Sequence, residues 1–218
     1  EEMVASQVAE MTRMQDEVIT GIANLIESRD GSTGLHVKNT QNYVQILTKA
    51  LREKGMYPDI LDHNYELNTV KASVLHDIGK IKTPDAILLK PGRLTDEEFE
   101  VMKQHTVAGC EIIDRIIGNV EHEEYVDIAR KIARYHHERW DGTGYPDGLS
   151  GEEIPLCARI MALADVFDAL YQDRCYKKAI RPASKVFEII KENSGSQFDP
   201  NLTEIFLELQ REITDISE

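Results

Sequence analysis

Long apolar runs are missing from this 218-residue chain. None approaches the roughly 20 residues that cross a bilayer, and no secretory leader pattern is present. Both absences exclude a membrane segment in the sequence and lead to the expectation of a cytoplasmic protein. Cysteine is scarce: Cys110, Cys157 and Cys175 are odd in number, far apart and set in helical patterns. They fit reduced thiols better than a disulfide framework or a cysteine zinc site. Positive charge is also short, with 25 Lys and Arg against 39 Asp and Glu and a net charge of −14. A general nucleic-acid binder carries a basic face, so no nucleic acid polymer is expected as partner. A small anionic ligand is not excluded, because the field at a site is local and a bound metal ion is often its largest charge. Internal repeats, low-complexity tracts and convincing period-two alternation are absent too. That leaves no basis for a sheet.

What is present is helical almost throughout, which makes the fold class all-α, a helical bundle without a composition shift that marks a second domain. Helices are predicted from His36 to about Lys54, then in a run delivering His76 and Asp77, and over 99–117, 124–137, 156–170, 183–193 and 200–213. Thr95-Asp96-Glu97-Glu98 reads as a capped helix start. The first segment, residues 2–29, places Val4, Val8, Met11, Val18, Ile22 and Leu25 at steps of four and three, with Gln15 filling one seam position. That is a heptad-like stripe. It predicts either a helix packed on its own domain or one that dimerises or relays a signal.

The chemistry concentrates in histidine and aspartate. His76 and Asp77 stand side by side in Val74-Leu75-His76-Asp77-Ile78-Gly79-Lys80, at the end of an apolar run. If residues 71–76 are helical, the pair diverges by roughly 100° and reaches one site from two angles. An imidazole beside a carboxylate suits a divalent transition metal, and the carboxylate can bridge two. His36, His105, His136, His137 and Asp165 are the expected partners. Asp165 lies in the apolar run 160–167, where an acid is costly to bury unless paired or metal-bound. Each alone reads as an interior histidine or a cap; the ordered set is better explained by a metal site. Lys80, four residues after His76, shares its face if the helix continues.

The loop Asp141-Gly142-Thr143-Gly144-Tyr145-Pro146-Asp147-Gly148-Leu149-Ser150-Gly151 fails as a calcium loop, since Pro146 stands where the turn needs glycine. His137-Glu138 fails as a zinc-protease motif, since Asp141 replaces the second histidine. Read plainly, this loop is a rigid structural lid.

These residues carry a family resemblance. His76-Asp77-Ile78-Gly79-Lys80, Pro84 to Gly92, His136 to Leu149, Ala164-Asp165, Asp168-Ala169, Asp173-Arg174 and Phe198-Asp199-Pro200 resemble the HD-GYP branch of the HD phosphohydrolases. The likeness runs over about residues 27–209. It implies a domain division of 1–30 as N-terminal linker or signalling helix and 31–218 as catalytic domain. It implies a metal-dependent phosphodiesterase of cyclic di-GMP in bacterial signalling, yielding linear pGpG, with onward hydrolysis to GMP left open. Alternatives are an HD phosphohydrolase of another cyclic dinucleotide or nucleotide, a low-activity signalling or binding module, and a di-iron oxygenase.

By the same resemblance, one metal takes His36, His76, Asp77 and Asp165, and a second takes Asp77 as bridge with His105, His136 and His137. Iron or manganese are the first expectations, with cobalt, nickel or zinc open, because imidazole and carboxylate ligation does not choose among them. A metal lowers the pKa of its water towards neutrality, which would supply the nucleophile. Asp77 and Lys80 are the expected catalytic residues, Lys80 binding phosphate or helping to protonate the leaving oxygen. The resemblance makes Tyr145, Arg174 and Lys177 substrate contacts. Asp168 would orient a ligand or Arg174, and Asp141 would hold the loop or the surroundings of the metals. The expected partners are cyclic di-GMP and an upstream sensor or dimer partner through the N-terminal helix. Three departures matter: Ser32 stands where members with a third metal have Glu, Cys175 replaces a proline, and Lys82-Thr83 stand where Gly-Ile is frequent. Ser32 predicts two metals, with Glu27 or Asp30 as the residues a rearranged loop could bring inward.

Overall fold

The computed structural model describes residues 2–30, 35–118, 123–172 and 179–216. Among the described residues the chain is all-α. Ten helices, α1 (Glu2–Glu27), α2 (His36–Glu53), α3 (His63–Ala72), α4 (Asp85–Leu88), α5 (Asp96–Ile117), α6 (Glu123–Tyr135), α7 (Leu156–Tyr171), α8 (Ala183–Glu192), α9 (Pro200–Glu208) and α10 (Gln210–Asp215), are joined by turns and short 3-10 segments. No helix among them is long and apolar enough to cross a membrane.

The centre is α7. Every residue from Leu156 to Ala164 is buried, which is what a helix apolar all round requires. Around it, α2 packs on α7, α3 and α5 pack on α6, and α8 and α9 close the far side. Phe167 anchors that far side, with ring centroids 5.1 Å from Tyr43, 5.0 Å from Phe187 and 5.6 Å from Phe206. The α6 stripe Val126, Ala129, Ile132 and Ala133 is buried, and each large aliphatic so buried stabilises by about 1.5–3 kcal/mol.

Helix ends follow local chemistry. Thr95 accepts the Glu98 amide while the Glu98 carboxylate accepts the Thr95 amide at 2.7 Å, a reciprocal cap. Asp62 caps α3 through the Tyr65 amide at 2.8 Å. Asp199 caps α9 and also accepts from Arg159 Nη1 at 2.6 Å, a buried pair. Arg159 itself lies against the rings of Trp140 and Tyr57.

Several expectations need correcting. The helix before His76 stops at Ala72 and tightens into a 3-10 turn, Ser73–Leu75; after Asp77 a second 3-10 segment covers Ile78–Lys82. Lys80 therefore does not share a continuous α-helical face with His76. The C-terminal run divides at Leu209 into α9 and α10.

Of the heptad stripe on α1, Met11, Val18, Ile22 and Leu25 are exposed; the side chains of Val4 and Val8 lie outside the described ones. Among the described side chains of α1, the buried ones are Ala23, Ile26 and Glu27, which lie off that exposed part of the stripe.

Candidate metal centre

Asp77 occupies a point where several elements meet. His76 and Asp77 form the joint between the two 3-10 segments, and Asp77 has φ −103° and ψ 12°, a bridge-region conformation that ends regular helix. The second segment lies hard against α5, and glycine makes this possible. A Cβ on Gly79 would fall 1.8 Å from the His105 carbonyl oxygen and 2.5 Å from the Gly109 amide nitrogen. This approach sets Asp77 Oδ1 3.3 Å from His105 Nε2. The end of α6 brings His136 Nε2 to 3.7 Å from the same oxygen, and His76 Nε2 lies 3.2 Å from Oδ2.

Four histidines share one arrangement. Nδ1 of His76, His105 and His136 meets the backbone oxygens of Ser73, Met102 and Ile132 at 2.9, 2.7 and 3.0 Å. Nδ1 of His36 meets Asp168 Oδ2 at 2.7 Å. With Nδ1 as the donor, each Nε2 keeps its lone pair, and outer partners of this kind are how metal-ligating histidines are oriented. The Nε2 atoms of all four, and Oδ1 of Asp77, are buried without a hydrogen-bond partner among the described residues. Orphaned buried polar atoms are costly, and five of them gathered in two clusters that share Asp77 fit bound cations.

Among the described residues, two groups of donors can hold an ion: Asp77, His105, His136 and His137, and Glu27, His36, His76 and Asp77. Asp77 belongs to both. Asp165, one turn before Asp168 on α7, has Oδ1 3.5 Å from His36 Nε2.

The electrostatics follow from burial and close charges. Burial lowers the pKa of His76, but the adjacent Asp77 carboxylate, with Asp165 and Glu27, lifts it to about 9. Burial dominates at His105 and brings it down to about 4. His137 falls well below the usual imidazole range through burial and the neighbouring His136 and His105. Burial works against ionisation of Asp77, yet Lys80 and His76 hold its pKa well below the normal carboxylate value. Asp165 is likewise lowered, by His36 and His76. Neutral imidazoles and ionised carboxylates are the states that bind metal; His105, His137, Asp77 and Asp165 are drawn towards them, whereas His76 is drawn towards imidazolium by Asp77 and must release its proton when an ion binds.

Lys80 Nζ lies 2.7 Å from Asp77 Oδ2 and 3.3 Å from Glu27 Oε1, with its side chain 12% exposed. It is not a surface ammonium. Tyr145 closes one side, its ring 4.9 Å from that of His137 and 5.9 Å from Phe99. Asp141 is not brought to the metal donors; it is exposed and accepts from the Thr143 amide at 3.0 Å and hydroxyl at 2.6 Å, fixing the loop. Arg174 and Lys177 lie outside the described residues, as do Ser32 and Cys175.

Three residues escape a sequence reading focused on histidine. Glu138 is 3% exposed and accepts the amides of Asp147, Gly148 and Leu149 at 2.8, 3.0 and 3.1 Å. It ties the 141–151 loop to the base of the site. Gly144 fits the same joint, since a Cβ there would fall 2.4 Å from the Arg139 amide nitrogen. Arg29 clamps the end of α1 to the second 3-10 segment, donating to the Lys80 and Thr83 carbonyls at 3.2 and 3.3 Å and to Asp85 at 2.6 Å. A lone Arg or Glu between helices gives no periodic signal that would have marked it.

A helical bundle that gathers four oriented imidazoles around one buried, doubly shared aspartate defines a metal-site protein built on an adjacent His-Asp pair. The chain belongs to the HD domain family, whose model matches residues 7–202, and within it to the HD-GYP type. It is 44% identical over 211 residues to a cyclic di-GMP phosphodiesterase of Vibrio cholerae, covering 95% of this chain and 42% of that protein. It is 35% identical over 201 residues to a 3'3'-cGAMP-specific phosphodiesterase of the same organism, covering 92% of this chain and 36% of that one. The solved structure of an HDGYP protein from Bdellovibrio bacteriovorus shares the fold with a TM-score of 0.60 at 17% identity, covering 92% of this chain and 63% of that chain. This chain spans about half or less of the length of the curated relatives it matches.

Proposed function

We propose that this chain is a divalent-metal phosphodiesterase that opens cyclic di-GMP to linear pGpG. The observation that carries the reading is the buried convergence of the His76, His105 and His136 Nε2 atoms on Asp77, with His36 in the same donor group as His76 and Asp77. It is joined by 44% identity to a relative named for that activity. Two ions, iron or manganese first, would be held by His36, His76, Asp77 and Asp165 and by Asp77, His105, His136 and His137. When bound they supply Lewis acidity, lowering the pKa of water and offsetting charge on phosphoryl oxygens.

The chain's own residues do the rest. Asp77 ties the two donor groups together and keeps its charge at neutral pH through Lys80 and His76. The Lys80 ammonium, held at Asp77 Oδ2, is placed to grip a phosphate oxygen or to give a proton to the departing ribose oxygen. Tyr145, with His137 and Phe99, offers a flat wall of the size of a base and keeps water from that side. Arg174 and Lys177 are read, on the family resemblance, as contacts to phosphate and guanine. The exposed α1 stripe supports residues 1–30 as a linker that meets a second copy or an upstream sensor, ahead of a catalytic unit over 31–218.

A second reading, hydrolysis of a hybrid cyclic dinucleotide, is favoured by the 35% identity to a cGAMP-specific relative. Turnover of cyclic di-GMP and 3'3'-cGAMP by the metal-loaded chain, followed by chromatography, separates them. Faster loss of cyclic di-GMP by tenfold or more is expected, abolished by chelator. Equal rates would overturn the guanine-specific reading, and binding without turnover would make the chain a sensing module.

A further inference from the structure

We propose that Glu27, the last residue of α1, is a carboxylate ligand of the metal bound by His36, His76 and Asp77. The inference rests on the metal-dependent reading above and adds a donor that comes from the linker helix. Glu27 is 2% exposed, and one of its carboxylate oxygens lies within 4.8 Å of donor atoms of His36, His76 and Asp77, as these do of one another. Donors about 2.1 Å from one ion stand at most about 4.2 Å apart, so small side-chain movements close this set.

Burying a carboxylate costs several kcal/mol unless cations compensate it. Three carboxylates, Glu27, Asp77 and Asp165, approach this side of the site. The Lys80 ammonium touches both Glu27 and Asp77, at 3.3 and 2.7 Å, and so lies where positive charge is most favoured. A divalent ion on the histidine side of these carboxylates adds the charge that a single ammonium does not supply.

The backbone holds Glu27 there. Ala23, Ile26 and Glu27, at i, i+3 and i+4, are the buried residues among the described side chains of α1 and lie on one face. That face packs on the 3-10 segments Ser73–Leu75 and Ile78–Lys82, which flank His76 and Asp77. Arg29 fastens the junction by hydrogen bonds to the Lys80, Ile81 and Thr83 carbonyls and to Asp85. A shift of α1 along or about its axis therefore moves a metal ligand.

The test uses the full chain, stripped and then titrated with Mn²⁺ under anaerobic conditions, with metal content and affinity as readouts. Glu27→Gln, which keeps size and removes charge, is expected to weaken the more loosely held ion at least tenfold. Glu27→Asp is expected to fall between it and the parent. Lys80→Met, which removes only the ammonium, is expected to bind Mn²⁺ as tightly as the parent or more so. If Glu27→Gln binds within threefold of the parent, the ligand assignment is wrong. If Lys80→Met loses metal as Glu27→Gln does, Glu27 merely holds Lys80 and the assignment is again wrong. A parent chain that binds no Mn²⁺, Fe²⁺ or Co²⁺ would instead overturn the metal-dependent reading itself.

Discussion

Gly79→Ala tests whether a single close approach builds the site. The new Cβ would stand 1.8 Å from the His105 oxygen, 2.5 Å from the Gly109 nitrogen and 2.8 Å from the His105 carbon, all backbone atoms. Ordinary contact begins at 3.4 Å, so the segment Ile78–Lys82 must retreat from α5 by roughly 1.5 Å, and no rotamer change absorbs it. Overpacking of this kind costs about 1–3 kcal/mol, and backbone on both sides places it at the upper end. For a domain of this size about 3 kcal/mol lowers Tm by roughly 6–12 °C. The same retreat lengthens the 3.3 Å separation of Asp77 Oδ1 from His105 Nε2, so metal affinity falls with stability. Thermal unfolding with and without Mn²⁺ measures both. A Tm within 2 °C of the parent and an unchanged metal-induced shift would refute the reasoning.

Two further outcomes follow from contacts around the metals. Glu138→Ala leaves the Asp147, Gly148 and Leu149 amides without their acceptor; at about 1 kcal/mol net for each bond, stability falls by about 2–3 kcal/mol, and limited proteolysis is expected to cut within 141–151, whereas a cleavage-resistant loop would count against the anchor. Asp168→Asn removes the charge that orients His36 through Nδ1 and is expected to weaken metal binding 10–100-fold, read by indicator competition; unchanged affinity would show that Asn39 and Tyr43, rather than His36, are what Asp168 serves.

Most of the donor set was readable because the motifs are contiguous. His76-Asp77 and His136-His137 declare themselves as pairs, and the α6 stripe declares the face that carries the second pair inward. The break after Ala72 was not readable: Lys71 to His76 keeps helical spacing, and no Gly or Pro marks where the turn tightens. The division at Leu209 likewise lacks a breaker residue. Glu27 could be named only as an acid that a rearranged loop could bring inward, since its burial comes from tertiary packing of α1, and the role of Gly79 emerges only when α5 is laid against it. Properties set by the meeting of two distant segments leave no local pattern in either one.

The central claim is that Asp77 is the shared donor on which the metals and the chemistry depend. Elemental analysis of anaerobically loaded Asp77→Ala, beside its rate of cyclic di-GMP hydrolysis, tests it most directly. The account predicts two metals per chain in the parent, loss of most of that metal in the variant, retained helical content, and a rate reduced far more than tenfold. Metal content like the parent's, with activity within tenfold, a difference of about 1.4 kcal/mol in barrier, would contradict it.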